Sequence, residues 1–226
     1  MNAAMSFASI APTRFFSAVV LTAAALLTGC AAPRTYDYTR FNEAKPRSIL
    51  VLPPVNQSVD IKATYSLLSH SSKPLAEAGY YVLPVALVDE TFRENGLSQA
   101  DDIHAVDLKK LNEIFGADAV LYLTVKRYGS TYYVFGSATV VEAQARLVDA
   151  RSGALLWDGT ASASSEEGKS NNNGLVGMLI TAALQQIIST VNDQSHEIAG
   201  IAGHRLLSVR AGNGILPGPR YPMASK

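Results

Sequence analysis

Residues 15–27 carry no charge, and the run closes on Leu27, Thr28, Gly29 and the only cysteine of the chain, Cys30. The N-terminus ahead of it has no Asp or Glu and a single basic residue, Arg14, the layout of an export signal. So short an apolar run falls below the roughly 20 residues that a helix needs to span a bilayer. The segment is therefore expected to be cut off after residue 29. What remains to fold is 197 of the 226 residues. One thiol cannot form an internal disulfide, so the core of this exported chain must come from packing alone.

The residues at the cut resemble the bacterial lipobox, in which small residues ahead of an obligatory cysteine admit the lipoprotein signal peptidase. A lone thiol in an exported chain is a reactive leftover, an intermolecular bridge or an acylation site. The position of Cys30 selects acylation, with Leu27, Thr28 and Gly29 as the peptidase motif and palmitate expected on the cysteine. Loss of Arg14 leaves 18 basic against 19 acidic groups, a mature charge near −1. No polybasic stretch stands out for membrane binding, and nothing suits nucleic acid. A single acyl chain holds only marginally, so several chains must supply the anchor. Ala31 stands where lipoproteins kept in the inner membrane commonly carry Asp, and resemblance to that sorting pattern favours the outer membrane, with the protein facing the periplasm.

Residues 30–47 mix Pro33 and Pro46 with scattered charges and read as a lipidated tether. The apolar residues 48–52, closed by Pro53 and Pro54, suit a strand buried on both faces. A helix-compatible stretch at 61–69 precedes residues 75–79 and then a second strand at 80–83. Asp107 caps a helix over 107–115 whose Leu108, Leu111, Ile114 and Phe115 share a face, and Gly116 ends it. Strands are expected at 119–125 and, as one long element, at 132–148, where Val141, Ala143, Ala145 and Leu147 alternate with Glu142, Gln144 and Arg146. Asp149 to Gly153 turns the chain into an antiparallel partner carrying Leu155, Trp157 and Ala161. A loop at 164–173 leads to a helix at 175–191 with Val176, Ile180, Ala183, Ile187 and Val191 at helical spacing. The expectation is an α/β fold, a single three-layer-like domain over 48–211 with a mixed sheet of about five strands flanked by helices, and an irregular tail at 212–226.

Residues with chemistry in them mostly have ordinary explanations. Gly168-Lys169-Ser170 lacks the first glycine of a P-loop, since Ala163 stands there. The four histidines, at 70, 104, 196 and 204, include no pair at common zinc spacing, so no metal and no cofactor is expected. Asp101, Asp102, His104 and Asp107 lie directly before a helix, where carboxylates favour the positive end of its dipole. There is no Gly-x-Ser-x-Gly elbow, and nothing local activates Ser69 beside His70. Tyr128, Tyr132, Tyr133 and Phe135 suit a core, a protein interface or a ligand surface, in that order. No catalytic residues are assigned, and the chain is read as a non-enzyme.

Four segments, SILVLPP at 48–54, GYYVLP at 79–84, GADAVLY at 116–122 and ARLVDARSGALLW at 145–157, together resemble the GNA1162-like family of bacterial lipoproteins. They also look distantly like the periplasmic α/β domains of curli-secretion-channel lipoproteins and penicillin-binding-protein activators. That resemblance implies action through protein partners. It points to an accessory lipoprotein that binds other envelope proteins, a curli-channel-like lipoprotein or further copies of itself among them, in a secretion or surface-assembly complex. Tyr128, Tyr132, Tyr133, Phe135, Val176, Ile180 and Ile187 are the expected interface residues. The alternative is a cell-wall or small-ligand binding lipoprotein that uses the tyrosine-rich region.

With residues 1–29 replaced by an ordinary cleavable signal, Cys30→Ala is expected to fold, to take up no palmitate and to leave the membrane fraction in high salt. Fractionation and lipid labelling check this, and a processed variant that stays on the membrane would refute acylation as the sole attachment.

Overall fold

The computed structural model describes residues 36–133, 136–167 and 193–222, with the side chains of 132, 133 and 136 left aside. In chain order the elements are α1 (Thr39–Ala44), β1 (Ser48–Val51), β2 (Val55–Asn56), α2 (Ala63–Glu77), β3 (Tyr81–Val82), α3 (Val85–Glu94), α4 (Ala100–His104), α5 (Leu108–Phe115), β4 (Ala119–Tyr133), β5 (Gly136–Asp149), β6 (Leu155–Ser164) and α6 (Gln194–Leu207). They build one mixed sheet in the order β3-β1-β4-β5-β6, with β2 also on β4. β1 lies parallel to β3 and β4, β2 runs parallel to β4, and β5 pairs antiparallel with β4 and β6. This is the expected α/β class.

Why β1 takes its place is plain from its composition. Ile49, Leu50 and Val51 are all fully buried, on alternate faces, which a strand achieves only with helices on both sides of it. On one side α2 and α6 bring Leu67, Leu75, Ile198 and Leu206 against Ile49, Val51, Leu121 and Trp157. On the other, α3 to α5 bring Val88, Phe92, Ile103 and Leu111 against Leu50, Leu52 and Val120. Helix α5 starts and stops as its sequence requires. The Asp107 carboxylate accepts from the backbone N–H groups of Lys109 (2.9 Å) and Lys110 (3.4 Å), and Gly116 closes it at φ 64°. The β5–β6 turn is also as read, with Asp149 accepting from the Ser152 N–H at 2.7 Å.

Other expectations need correction. The strand expected over 132–148 is two strands, because the chain reverses between Tyr133 and Gly136 and Thr131 pairs with Ala138. Strand-forming residues run without a break from Thr131 up to Gly136, so the sequence pattern does not mark the reversal. The helix-compatible stretch at 61–69 is part of a longer helix, α2, which runs to Glu77 through a buried Pro74. Helices α3, α4 and α6 have no counterpart among the expected elements, α6 because Gly200 and Gly203 lower its helix propensity. The helix expected at 175–191 lies outside the described residues.

The boundaries at 47 and 212 fall inside the folded unit, which begins at Tyr36. Phe41 of α1 is buried in the core. The C-terminal tail is fixed strand-like along the α2–β3 turn: the N–H of Gly218 donates to Ala78 O (2.7 Å), that of Arg220 to Gly79 O (3.2 Å), and the Tyr80 hydroxyl to Leu216 O (2.5 Å). Trp157 Nε1 donates to Asn213 O at 2.9 Å, and the Tyr38 hydroxyl bonds Gly214 O. Tyrosine and tryptophan donors thus hold the backbone of the tail at residues 213–216 to the rest of the fold.

Gly79 tests this clamp. It sits at φ 90°, and a Cβ there would lie 2.2 Å from the Tyr221 nitrogen, whereas Gly96, at φ 81°, has open space around it. Gly96→Ala is expected to cost about 1 kcal/mol of backbone strain and Gly79→Ala clearly more, with the tail released to proteolysis; denaturant melts and limited digestion compare them.

Candidate functional site

Among the described residues, helices α3 to α5 cover β1, β3 and the first residues of β4, and none covers the same face along the rest of β4, β5 and β6. On these strands the apolar residues Leu121, Leu123, Val125, Val141, Ala143, Ala145 and Leu147 turn to the core. The alternate positions turn outward in cross-strand rows. Tyr122 pairs with Arg146 and Arg146 with Asp158, Thr124 with Gln144 and Gln144 with Thr160, and Arg127 with Glu142. Arg127 and Glu142 form an ion pair of 3.7 Å. The rows of Tyr122, Arg146 and Asp158 and of Thr124, Gln144 and Thr160 floor a groove of about 690 Å³, with His104 of α4 as its side.

His104 is held there by two contacts. Its Nε2 bonds Pro53 O at 2.9 Å, and its ring meets the Tyr122 ring edge-on, with centroids 5.2 Å apart. Burial holds the His104 pKa below the usual histidine value, against the opposing effect of the Pro53 carbonyl, and the ring is neutral at pH 7. Burial likewise raises the Tyr122 pKa. The face therefore presents fixed hydrogen-bonding groups, two arginines and two carboxylates, and among the described residues His104 bonds a backbone carbonyl rather than a hydroxyl. It is suited to recognition.

Folding also creates a pair that sequence spacing concealed. His70 of α2 and His196 of α6 stack with ring centroids 4.3 Å apart, and the Ser66 hydroxyl meets His196 Nδ1 at 2.9 Å. Gly200 permits the approach, since a Cβ there would stand 3.1 Å from the His70 ring. His70 Nε2 and the Tyr128 hydroxyl are buried without hydrogen-bond partners among the described residues. Burial first, then the neighbouring His196, lowers the His70 pKa. Ser69 takes no part, donating instead to Ser66 O at 2.8 Å. Two imidazoles are too few for a metal cage, and among the described residues no group of three or more His, Cys, Asp or Glu could hold a metal ion.

Of the residues singled out from sequence, Tyr128 is 6% exposed and faces the core, so it is unavailable as an interface residue. Tyr132 and Tyr133 end β4, and their side chains are not described. Phe135, Val176, Ile180, Ile187, Leu27, Thr28, Gly29 and Cys30 lie outside the described residues. Asp101 and Asp102 occupy the first turn of α4, and Asp107 is the cap of α5. The open face was missed because its signal, alternation with polar outward residues, is that of any half-solvated antiparallel sheet.

Comparison with known proteins gives four findings. The family profile described as "Putative lipoprotein GNA1162-like" matches residues 36–220. The "Putative lipoprotein NMB1124/NMB1162" of Neisseria meningitidis serogroup B is 49% identical over 204 residues, 89% of this chain and 94% of the relative. Among solved structures, lipoprotein GNA1162 from Neisseria meningitidis superposes with a TM-score of 0.52 at 52% identity, over 64% of this chain and 100% of that one. The C-terminal domain of LpoB from Salmonella enterica is 16% identical, with a TM-score of 0.37 over 63% of this chain and 92% of its own.

The two depressed histidines predict an acid-sensitive fold. The unfolded chain takes up protons near the ordinary value of about 6.5 while His70 and His104 in the fold resist them. Stability is therefore complete above about pH 6.5 and falls as pH drops from there toward the folded pKa values. Tm is expected to decline between about pH 7.5 and 5.5, less so in the double variant His70→Gln/His104→Gln. Equal declines in the two proteins would place the sensitivity elsewhere.

Proposed function

The chain belongs to the GNA1162-like lipoprotein family, and on that premise we propose that it is an outer-membrane accessory lipoprotein whose open sheet face binds another envelope protein. The observation that carries this reading is the face of β4, β5 and β6 that no described residue covers, with its groove of about 690 Å³. A sheet face that merely meets solvent needs no concavity. This one is bounded by His104 and Tyr122, whose rings are fixed in place, and lined by Gln144, Arg146 and Thr160. Preformed polar groups on rigid strands lose little freedom on binding.

That His104 bonds a backbone carbonyl rather than a hydroxyl supports a role in binding rather than catalysis. Cys30, by this reading, carries the acyl anchor, and the protein faces the periplasm. Among the described residues no helix is long and apolar enough to cross a membrane. The groove also has a volume suited to a small ligand, which is what favours the second reading, a cell-wall fragment held against Tyr122 and Arg146.

A photoreactive amino acid at Gln144 or Thr160, introduced in cells, is expected to trap an envelope protein, whereas the same group at Lys109 on α5 is not. Arg146→Glu should reduce capture at least tenfold with Tm changed little, as the residue is exposed. A protein that captures nothing from either strand position, while folded and membrane-bound, would remove the basis of the partner reading. Binding of soluble muropeptides that Tyr122→Ala abolishes would favour the second.

A further inference from the structure

The two ends of the mature chain are basic, and the fold brings them together. Residues 30–47 and 208–226 contain seven Lys and Arg against two acidic residues, whereas residues 48–207 contain 11 against 17. No acidic residue follows Glu197. In sequence these charges are scattered over two segments more than 150 residues apart and do not read as a polybasic patch. In the fold, α1 and the tail lie side by side. Lys45 and Pro46 line one groove with Tyr80, Leu216, Pro217 and Pro219, and Tyr38 bonds Gly214 while sensing the charge of Arg210. Arg40, Lys45, Arg210 and Arg220 are all exposed. Next to them Arg220 lies 5.8 Å from the centre of the Tyr81 ring, and Tyr81 and Tyr221 are 52% and 37% exposed.

The position of this surface along the chain adds the second argument. Tyr36, the first residue of the folded unit, is joined to the sheet by its hydroxyl, which donates to Asp158 Oδ1 at 2.8 Å and accepts from the Asp158 N–H at 2.9 Å. Only residues 31–35 separate it from Cys30. Six peptide steps reach about 20 Å at full extension, while a folded unit of this length has a radius of gyration of about 16 Å. An acylated Cys30 thus holds the Tyr36 side close to the headgroups, and the opposite side cannot turn toward them without moving the whole unit outward. Exposed tyrosines beside arginines and lysines are the side chains that settle at a membrane interface. Basic residues are drawn to anionic lipid within about a Debye length of it.

We propose that the surface formed by α1 and the C-terminal tail, with Arg40, Lys45, Arg210 and Arg220 at its centre, docks on the anionic phospholipid surface of the membrane that holds Cys30. The orientation this gives rests on the acylation read for Cys30, but the attraction does not, and the two can be tested apart. Docking in this way fixes the orientation of the protein, so that the strands of the open face are displayed in a constant direction.

The test uses the mature chain, residues 30–226, with Cys30→Ser, and sedimentation with vesicles of equimolar phosphatidylcholine and phosphatidylglycerol. Binding is expected at low salt, absent from pure phosphatidylcholine, and lost near 1 M salt, where the Debye length is about 3 Å. The combined variant Arg40→Gln, Lys45→Gln, Arg210→Gln and Arg220→Gln should bind on the order of several hundredfold more weakly, at roughly fivefold for each of the four charges. A charge-matched control, Lys73→Gln, Lys109→Gln, Lys110→Gln and Arg127→Gln, should keep most of its affinity. Equal loss in both variants would overturn the proposal in favour of diffuse charge, and so would absence of vesicle binding at low salt, the outcome expected if an acidic protein were the occupant. Palmitate labelling of the unaltered chain reports on the anchor separately: an unlabelled chain whose vesicle binding still depends on the four residues would keep the surface and discard the anchor.

Discussion

Strand β4 changes its environment midway along its length, and the rest of the architecture follows from that change. Ala119, Val120 and Leu121 are completely buried, lying between β1 and β5 in the sheet and between helices above and below. From Tyr122 onward only alternate residues are buried, Leu123 and Val125 facing α2 and α6 while Tyr122 and Thr124 face the groove. A strand buried on both faces requires helices on both, and a strand apolar on one face requires only one layer. Among the described residues the fold is therefore three layers thick around β1 and the first residues of β4, and two layers thick along the rest of β4, β5 and β6. The step between these regions, where α4 ends, is the wall that His104 supplies to the groove.

A second consequence concerns how the parallel and antiparallel regions are joined. Asp118, just before β4, accepts from the N–H groups of Arg47 (3.0 Å) and Ser48 (3.2 Å) and from Arg151 Nη2 (3.1 Å) in the β5–β6 turn. Partial burial raises its pKa, yet these donors outweigh burial and hold the carboxyl below its ordinary value. Three segments distant in sequence thereby end on one carboxylate at the edge of the fold. At the opposite end of the sheet, Lys62 and Asp193 pair at 3.1 Å across α2 and α6. That exposed pair contributes little by itself, as such pairs do; the packing between the two helices holds them together.

The candidate surfaces are distributed accordingly. The open strand face, the histidine contact between α2 and α6, and the basic surface of α1 and the tail are built from different layers, so none requires sacrifice of another. Side chains also cover some of the outer edge of β6, where Arg205 Nη1 donates to Ser162 O (2.9 Å) and the Ser164 N–H donates to Glu167 Oε1 (2.9 Å). Blocking an edge in this way discourages uncontrolled strand pairing, and directs association toward the faces instead.

Local physics made several elements legible from sequence. The apolar run of β1, the Asp107 cap and Gly116 stop of α5, the Asp149 to Gly153 turn and the alternation of β5 each depend on neighbours within a few residues. Chain reversal at the end of β4 was hidden because strand-forming residues run without a break up to Gly136, and the glycines of α6 disguised a helix that is stabilised by tertiary packing. Folding alone decided what no local pattern encodes: that His70 would lie 4.3 Å from His196, that the polar residues of three strands would share one groove, and that basic residues from the two ends of the chain would meet on one surface. The physical reason is that caps, turns and periodicity are set by the backbone over one or two turns, whereas a site is set by which segments the burial of apolar area forces together, and that sum runs over the whole chain.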